Sequence, residues 1–312
     1  MHAIGVDIGG TKIAAGVVDP DGNVLRLVRH GTSSDDPAEI ERAVVDAVQE
    51  LRAEHEVGAV GVAAAGFVDA ERSRVRFAPN IAWRDHALRD SLATHIDLPI
   101  VVENDANAAG WAEFRFGAGR DAEHMVLLTV GTGLGGAIVT GGSLLRGAFG
   151  AAGEVGHMQL VPDGQLCGCG HAGCWEQYAS GRALVRDTKA ALVTTPERAD
   201  ALLRLAGGDP EDVTGPHVTE AARAGDPLAL ELLEDLGAAL GTGIADLAAL
   251  LDPEVVVVGG GVADAGDLLL APARRAFTEQ LFARGFRPEP VIVTARLGND
   301  AGVVGVADLA RG

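Results

Sequence analysis

The sequence predicts a mixed α/β protein of two similarly built domains, and three observations lead there. A glycine turn between two apolar runs occurs twice, at Gly9-Gly10-Thr11 and at Gly131-Thr132-Gly133, roughly 120 residues apart, the self-similarity of an internal repeat. Apolar runs of strand length alternate with longer stretches of helical period, which implies a partly parallel sheet. The 312 residues also exceed the roughly 250 at which a single core stops growing.

Each element follows from local chemistry. Ala3 to Ile8 and Ile13 to Val18 are apolar runs around the first turn. Asp19-Pro20-Asp21-Gly22-Asn23 then supplies turn residues, since Pro sets φ and Gly or Asn tolerates φ > 0, before a third strand over Val24 to Val28. Ile40, Val44, Ala47, Val48 and Leu51 share one face of a helix over Pro37 to Arg52, capped by Asp35 or Asp36. Val57 to Ala65 and Leu98 to Val102 read as buried strands, with helices near Asp85 to Thr94 and Ala106 to Phe116. The repeat begins with strands over Met125 to Val130 and Leu134 to Thr140, turned again at Gly141-Gly142. Beyond it come a helix over Pro227 to Leu251, a β-branched strand over Glu254 to Val258, a break at Gly259-Gly260-Gly261 and a helix over Leu268 to Phe282. A strand over Val291 to Thr294 and a helix over Ala301 to Ala310 close the chain. The expected division is a smaller domain of residues 1–108 with 299–312 and a larger one of residues 109–298, with a cleft between them.

The charge excludes several classes of partner. With 25 basic against 44 acidic residues the formal charge is -19, which repels phosphate backbones and anionic lipid headgroups. Neither nucleic acid nor a membrane is expected as a partner. No apolar run reaches 18 residues, and the start lacks a basic region followed by an apolar stretch, so no span or export signal is expected. Cys167, Cys169 and Cys174 are the only cysteines, an odd, tight cluster that suits a metal better than disulfides and fits a reducing cytoplasm.

Phosphate recognition needs backbone N–H groups brought close to the oxygens, which glycine permits. Asp7-Ile8-Gly9-Gly10-Thr11-Lys12 offers such a loop, and Lys12 is one of only two lysines in the chain. Asp7 could hold Mg²⁺ through water or simply cap the turn. The second turn, Gly131-Thr132-Gly133, repeats the device, and Gly259-Gly260-Gly261 is assigned to the adenosine side of a nucleotide. No Walker loop occurs, and the triple glycine lacks dinucleotide spacing. Two α/β domains that each open with such a hairpin resemble the actin-like ATPase fold of sugar kinases and Hsp70-like proteins.

In the cysteine loop, Cys167-Gly168-Cys169-Gly170-His171-Ala172-Gly173-Cys174, three thiolates surround one point, and Zn²⁺ requires a fourth ligand, either His157 or His171. Four protein ligands make such a site structural, since no position remains for activated water.

Glu154-Val155-Gly156-His157 followed by this cysteine loop, Trp175 and Glu176 resembles the signature of the ROK family of bacterial sugar kinases and related repressors. The resemblance spans essentially the whole chain and includes Glu103-Asn104-Asp105-Ala106-Asn107. It implies ATP- and Mg²⁺-dependent phosphorylation of a hexose, glucose first, with structural Zn²⁺. Asp105 is then the catalytic base, and Asn80, Asn104, Asp105, Glu154, His157 and Glu176 hold sugar hydroxyls. His157 is also implied as the fourth zinc ligand beside Cys167, Cys169 and Cys174, which demotes His171. Rival readings are a kinase for fructose, mannose, N-acetylmannosamine or N-acetylglucosamine, another phosphoryl donor such as polyphosphate, or a silent sugar sensor. Family repressors carry an N-terminal DNA-reading domain; here the first strand follows Met1 directly, so none is expected. A homodimer or homotetramer is implied by the resemblance alone.

Overall fold

The structure is a computed structural model, and it describes residues 1–9, 12–31, 36–78 and 81–312. Strands β1 (Ala3–Ile8), β2 (Lys12–Val18) and β3 (Val24–Gly31) form an antiparallel meander. Helix α1 (Pro37–Arg52) follows, with Asp36 accepting the Ala38 N–H at 2.9 Å and the five expected apolar positions buried. Strand β4 (Val60–Ala64) runs parallel to β1. A small antiparallel sheet of β5 (Phe67–Val68), β6 (Val75–Phe77) and β7 (Arg84–His86) is inserted here. Helix α2 (Leu88–Ala93), β8 (Ile100–Asn104), parallel to β4, and α3 (Asp105–Phe116) complete the first half.

The second half comprises β9 (Met125–Val130), β10 (Leu134–Thr140), β11 (Ser143–Leu144), α4 (Gly181–Thr194), α5 (Asp200–Leu205), α6 (Gly215–Arg223), α7 (Pro227–Leu251), β12 (Val255–Gly259), α8 (Asp267–Gln280), β13 (Val291–Thr294) and α9 (Ala301–Ala310). The two large sheets have the orders β3-β2-β1-β4-β8 and β11-β10-β9-β12-β13. Each is a meander extended by two strands added beyond its first, so the repeated turns do mark a repeated topology.

Several expected elements shift by one to three residues at their ends, and the first residues of one expected helix form a strand instead. Asp85 lies in strand β7 with φ 49°, and the helix that was expected to include it begins at Leu88. The apolar pair Leu88 and Leu92, both buried, belongs to that shorter helix.

By its internal contacts the chain divides into one unit of residues 1–127, 137–153 and 295–312, and another of 128–136 and 154–294. In the first, Ile4, Val6 and Ile8 of β1 pack with Ile40, Val44 and Val48 of α1 on one face of the sheet. The alternate residues of β1 face α9, and they are small: a Cβ on Gly5 would lie 1.9 Å from the Val303 carbonyl oxygen. A Cβ on Gly61 of β4 would lie 2.0 Å from that of Val306, and one on Gly305 of α9 only 1.8 Å from that of Ala108 on α3. Glycine at these positions lets the helices approach the strands backbone to backbone. In the second unit, α7 starts at the Asp226 cap with Pro227 at its first position and packs on α8 through Gly237 and Gly241 in the same way.

Candidate functional site

In the first unit the predicted residues gather at the C-terminal ends of the parallel strands, where open α/β sheets bind their ligands. Asp7 ends the small-residue face of β1, and its carboxylate reaches the start of α9: a Cβ on Gly302 would meet Asp7 Oδ2 at 2.8 Å. Burial, and secondarily the charge of Asp105, raise its pKa from 3.8 to about 6. The following turn is closed by the Gly9 N–H donating to the Lys12 carbonyl at 3.0 Å, and Lys12 is exposed. Gly10, Thr11 and Asn80, also expected at the site, lie outside the described residues.

Asn104 and Asp105 form the corner where β8 becomes α3. Asn104 caps the helix, its Oδ1 accepting the Asn107 N–H at 2.9 Å, while its Nδ2 donates to the Gly66 carbonyl and to Asp105 Oδ1, each at 3.1 Å. The cap and the candidate base are thus separate residues in direct contact. Desolvation raises the Asp105 pKa, against the backbone N–H groups of Ala106 and Asp105 itself, which pull it down.

Behind this corner lies a group that sequence reading left without a role. Glu103 is fully buried, and its Oε1 accepts the Asn104 N–H at 3.0 Å and the Asn107 side-chain N–H at 3.1 Å. Its Oε2 lies 3.0 Å from Arg72 Nε and 2.8 Å from Arg146 Nε. Neither N–H is well aligned, so charge rather than a hydrogen bond holds these pairs. The carboxylate inside the Glu-Asn-Asp motif was the only available signal; neither arginine stands in a motif.

In the second unit the second glycine turn is closed by the Gly131 N–H donating to the Gly133 carbonyl at 3.0 Å. The start of α4 lies against it, with the Gly181 N–H donating to the Gly131 carbonyl at 2.7 Å. Thr132 accepts the Arg182 N–H through its carbonyl at 3.3 Å. Gly259 ends β12, and Gly260, at φ 86°, is where a Cβ would sit 2.5 Å from the Val130 carbonyl oxygen. The triple glycine, completed by Gly261, therefore reaches the strand that leads into the Gly131 turn.

The cysteine loop lies in the same unit. Cys169 Sγ is 3.5 Å from Cys174 Sγ, Cys167 Sγ is 3.8 Å from His157 Nδ1, and the four ligand atoms all lie within 4.8 Å of one another. Ligands at about 2.3 Å around a tetrahedral zinc sit about 3.7 Å apart, so these separations fit the ion. Burial pushes the Cys167 thiol up and the His171 N–H holds Cys169 down. The His171 ring nitrogen Nδ1 lies 3.7 Å from Cys169 Sγ, and His171 is not one of the four. Because Nδ1 of His157 faces the sulfurs, its Nε2 is the nitrogen left for another partner. The loop turns at Gly170 and Gly173, both at positive φ, and a Cβ on Gly173 would lie 1.7 Å from the Val161 carbonyl oxygen.

Glu176 ties the loop to the glycine turn. Its Oε1 accepts from Cys167 Sγ at 3.0 Å and lies 3.9 Å from His157 Nδ1, while its Oε2 would be 2.7 Å from a Cβ on Gly133. Neighbouring Trp175 is buried, with its Nε1 donating to the Ala239 carbonyl at 2.9 Å. Glu154 precedes the 3-10 turn Val155–His157 and accepts the His157 N–H through its carbonyl at 3.2 Å.

The sequence pattern of the ROK family matches residues 3–312. The glucokinase of Streptomyces coelicolor is 52% identical over 308 residues, covering 99% of this chain and 97% of its own. Among solved structures, a ROK family glucokinase from Streptomyces griseus in complex with glucose and AMPPNP is 51% identical, with a TM-score of 0.91 over 100% of this chain and 99% of that one. The ROK hexokinase of Thermus thermophilus is 36% identical, with a TM-score of 0.81 over 100% of this chain and 98% of that one.

Proposed function

The chain belongs to the ROK family, and from that premise we propose that it is an ATP-dependent glucokinase, transferring the γ-phosphoryl group of ATP to the 6-hydroxyl of glucose. The observation that carries this reading is the Asn104–Asp105 corner: a desolvated carboxylate, oriented by its neighbour at the end of a parallel strand. The likeness to glucokinases over nearly the full length, one of them solved with glucose and an ATP analogue, supports the choice of sugar and donor.

In this reading Asp105 accepts the proton of the attacking hydroxyl while the new O–P bond forms and the bond to the β-phosphate oxygen breaks, releasing ADP. A raised pKa makes Asp105 a better base once ionised, and general-base catalysis by a positioned carboxylate contributes roughly 10²–10⁴ in rate. Asn80, Asn104, Glu154, His157 and Glu176 hold the sugar hydroxyls. Gly9, Gly10, Thr11, Lys12 and Gly131-Thr132-Gly133 bind the phosphates, and Gly259-Gly260-Gly261 the adenosine. Asp7 is the residue that would hold Mg²⁺ through water, and the ion would supply neutralisation of phosphate charge. Zn²⁺ on His157, Cys167, Cys169 and Cys174 would fix the loop carrying Glu176, leaving His157 Nε2 to donate to the sugar. A cytoplasmic homodimer or homotetramer completes the reading by family likeness, and no described helix is long and apolar enough to cross a membrane.

The test is ADP release from Mg-ATP with glucose, mannose, fructose and the N-acetylhexosamines, run beside Asp105→Asn. Turnover led by glucose and lost in the variant is expected; turnover led by another sugar would change the substrate and keep the mechanism. No turnover with any hexose would refute the kinase reading.

A further inference from the structure

We propose that Glu103, clamped between Arg72 and Arg146, is a positioning residue that holds the Asn104–Asp105 corner in its reactive orientation. The inference rests on the kinase reading above and extends it to groups that touch no substrate.

Glu103 faces two ways. Its Oε1 holds the backbone of Asn104 and the side chain of Asn107, so one oxygen braces both the corner and the first turn of α3. Its Oε2 faces two guanidinium groups. Arg72 grips β8 a second time, its carbonyl accepting the Val102 N–H at 3.1 Å. The Arg72 backbone sits at φ 54°, a conformation that a side-chain-bearing residue keeps only where its surroundings over-determine it.

Arg146 brings in a distant part of the chain. It follows β11, and its Nη1 and Nη2 donate to the carbonyls of Ala70 and Asp69, each at 2.8 Å. The same segment is pressed against β5, where a Cβ on Gly150, at φ 84°, would lie 2.2 Å from the Val68 carbonyl oxygen. Three stretches of chain that are remote in sequence therefore converge on one buried carboxylate directly preceding Asn104 and Asp105. Two arginines against one carboxylate are more than a structural ion pair needs, and removing one partner of a buried pair leaves an uncompensated charge. Here the freed groups adjoin the catalytic corner, where a displacement of about 1 Å can cost on the order of 100-fold in rate.

The experiment is steady-state kinetics on Glu103→Gln, Arg146→Met and the double variant in the full chain, with thermal melts to show that each is folded at the assay temperature. Glu103→Gln keeps an oxygen for the two N–H donors and removes the charge facing the arginines. Arg146→Met leaves Glu103 paired with Arg72, so it decides the matter if Glu103→Gln does not fold. We expect kcat to fall roughly 10- to 100-fold in each, with KM for ATP within about threefold. The double variant should lose no more than the worse single one, because both act through the same corner. Folded variants with kcat within about twofold of the parent, or a raised KM at unchanged kcat, would overturn the positioning role while leaving the kinase reading intact. A parent protein inactive on every hexose would overturn both.

Discussion

Asp7 gives the most direct quantitative test, because its environment predicts that the fold is destabilised by a carboxylate proposed to serve the nucleotide's metal ion. Burial, and secondarily the charge of Asp105, push the carboxyl up from an ordinary 3.8 to about 6, and the start of α9 lies against it. Between those values the folded state binds more protons at Asp7 than the unfolded one, so the stability that Asp7 contributes is fully present below pH 3.8 and is lost as pH rises through 6. At about 1.36 kcal/mol per tenfold change in proton affinity, the full loss is about 3 kcal/mol at pH 8. Asp7→Asn has nearly the same shape and no charge. It should therefore be more stable than the parent by about 3 kcal/mol at pH 8 and by less than about 1 kcal/mol at pH 4. With an unfolding entropy of roughly 2.1 cal/mol/K per residue over 312 residues, that is about 5 °C in Tm at pH 8. Paired thermal melts at the two pH values, without nucleotide or Mg²⁺, provide the assay. A variant with the parent's Tm at pH 8, or one shifted equally at both pH values, would refute the argument.

Asp105→Asn should lower kcat at least ~100-fold while glucose affinity by calorimetry stays within about threefold; near-normal turnover would remove Asp105 from the role of base. Elemental analysis should find about one zinc per chain, and chelation should lower Tm and weaken glucose binding together; a fully active metal-free protein would exclude the structural zinc. Gly305→Ala places a Cβ 1.8 Å from the Ala108 carbonyl oxygen, and the forced separation of α9 from α3 should cost ~1–3 kcal/mol or more in urea unfolding; unchanged stability would deny that close approach.

Much of the fold was legible because it is written in local periodicity. The helix over Pro37–Arg52, the strands Met125–Val130 and Leu134–Thr140, and the helices Pro227–Leu251 and Ala301–Ala310 have the expected ends, since each carries a cap, a turn or a long apolar stripe. The inserted sheet was not legible, because strands of two or three residues cannot establish a period of two, and Asp85 was drawn into the neighbouring helical pattern. Among the candidate functional residues of the two units, the cysteine cluster and the glycine turns were visible as dense local motifs. Arg72 and Arg146 were not, because their meeting at Glu103 is made by topology and leaves no mark on adjacent residues.

The same distinction explains why Asp7 could be named from sequence while its chemistry could not. The motif Asp7-Ile8-Gly9 shows a carboxylate before a glycine turn, which is equally consistent with a cap or a ligand. Part of what surrounds it lies at the other end of the chain, where Gly302 brings the start of α9 onto the carboxylate, and burial is the larger cause of its raised pKa, ahead of the Asp105 charge. That approach depends in turn on Gly5, Gly61 and Gly305, whose missing side chains let α9 settle on the strands and on α3. A larger residue at Gly61 or Gly305, remote from any expected ligand, would lift the helix, readmit water to Asp7 and move its pKa back toward the ordinary value. The small-residue packing of the first unit and the electrostatics of its candidate site are therefore one property, and a substitution that changes the former should be read out in the titration of the latter.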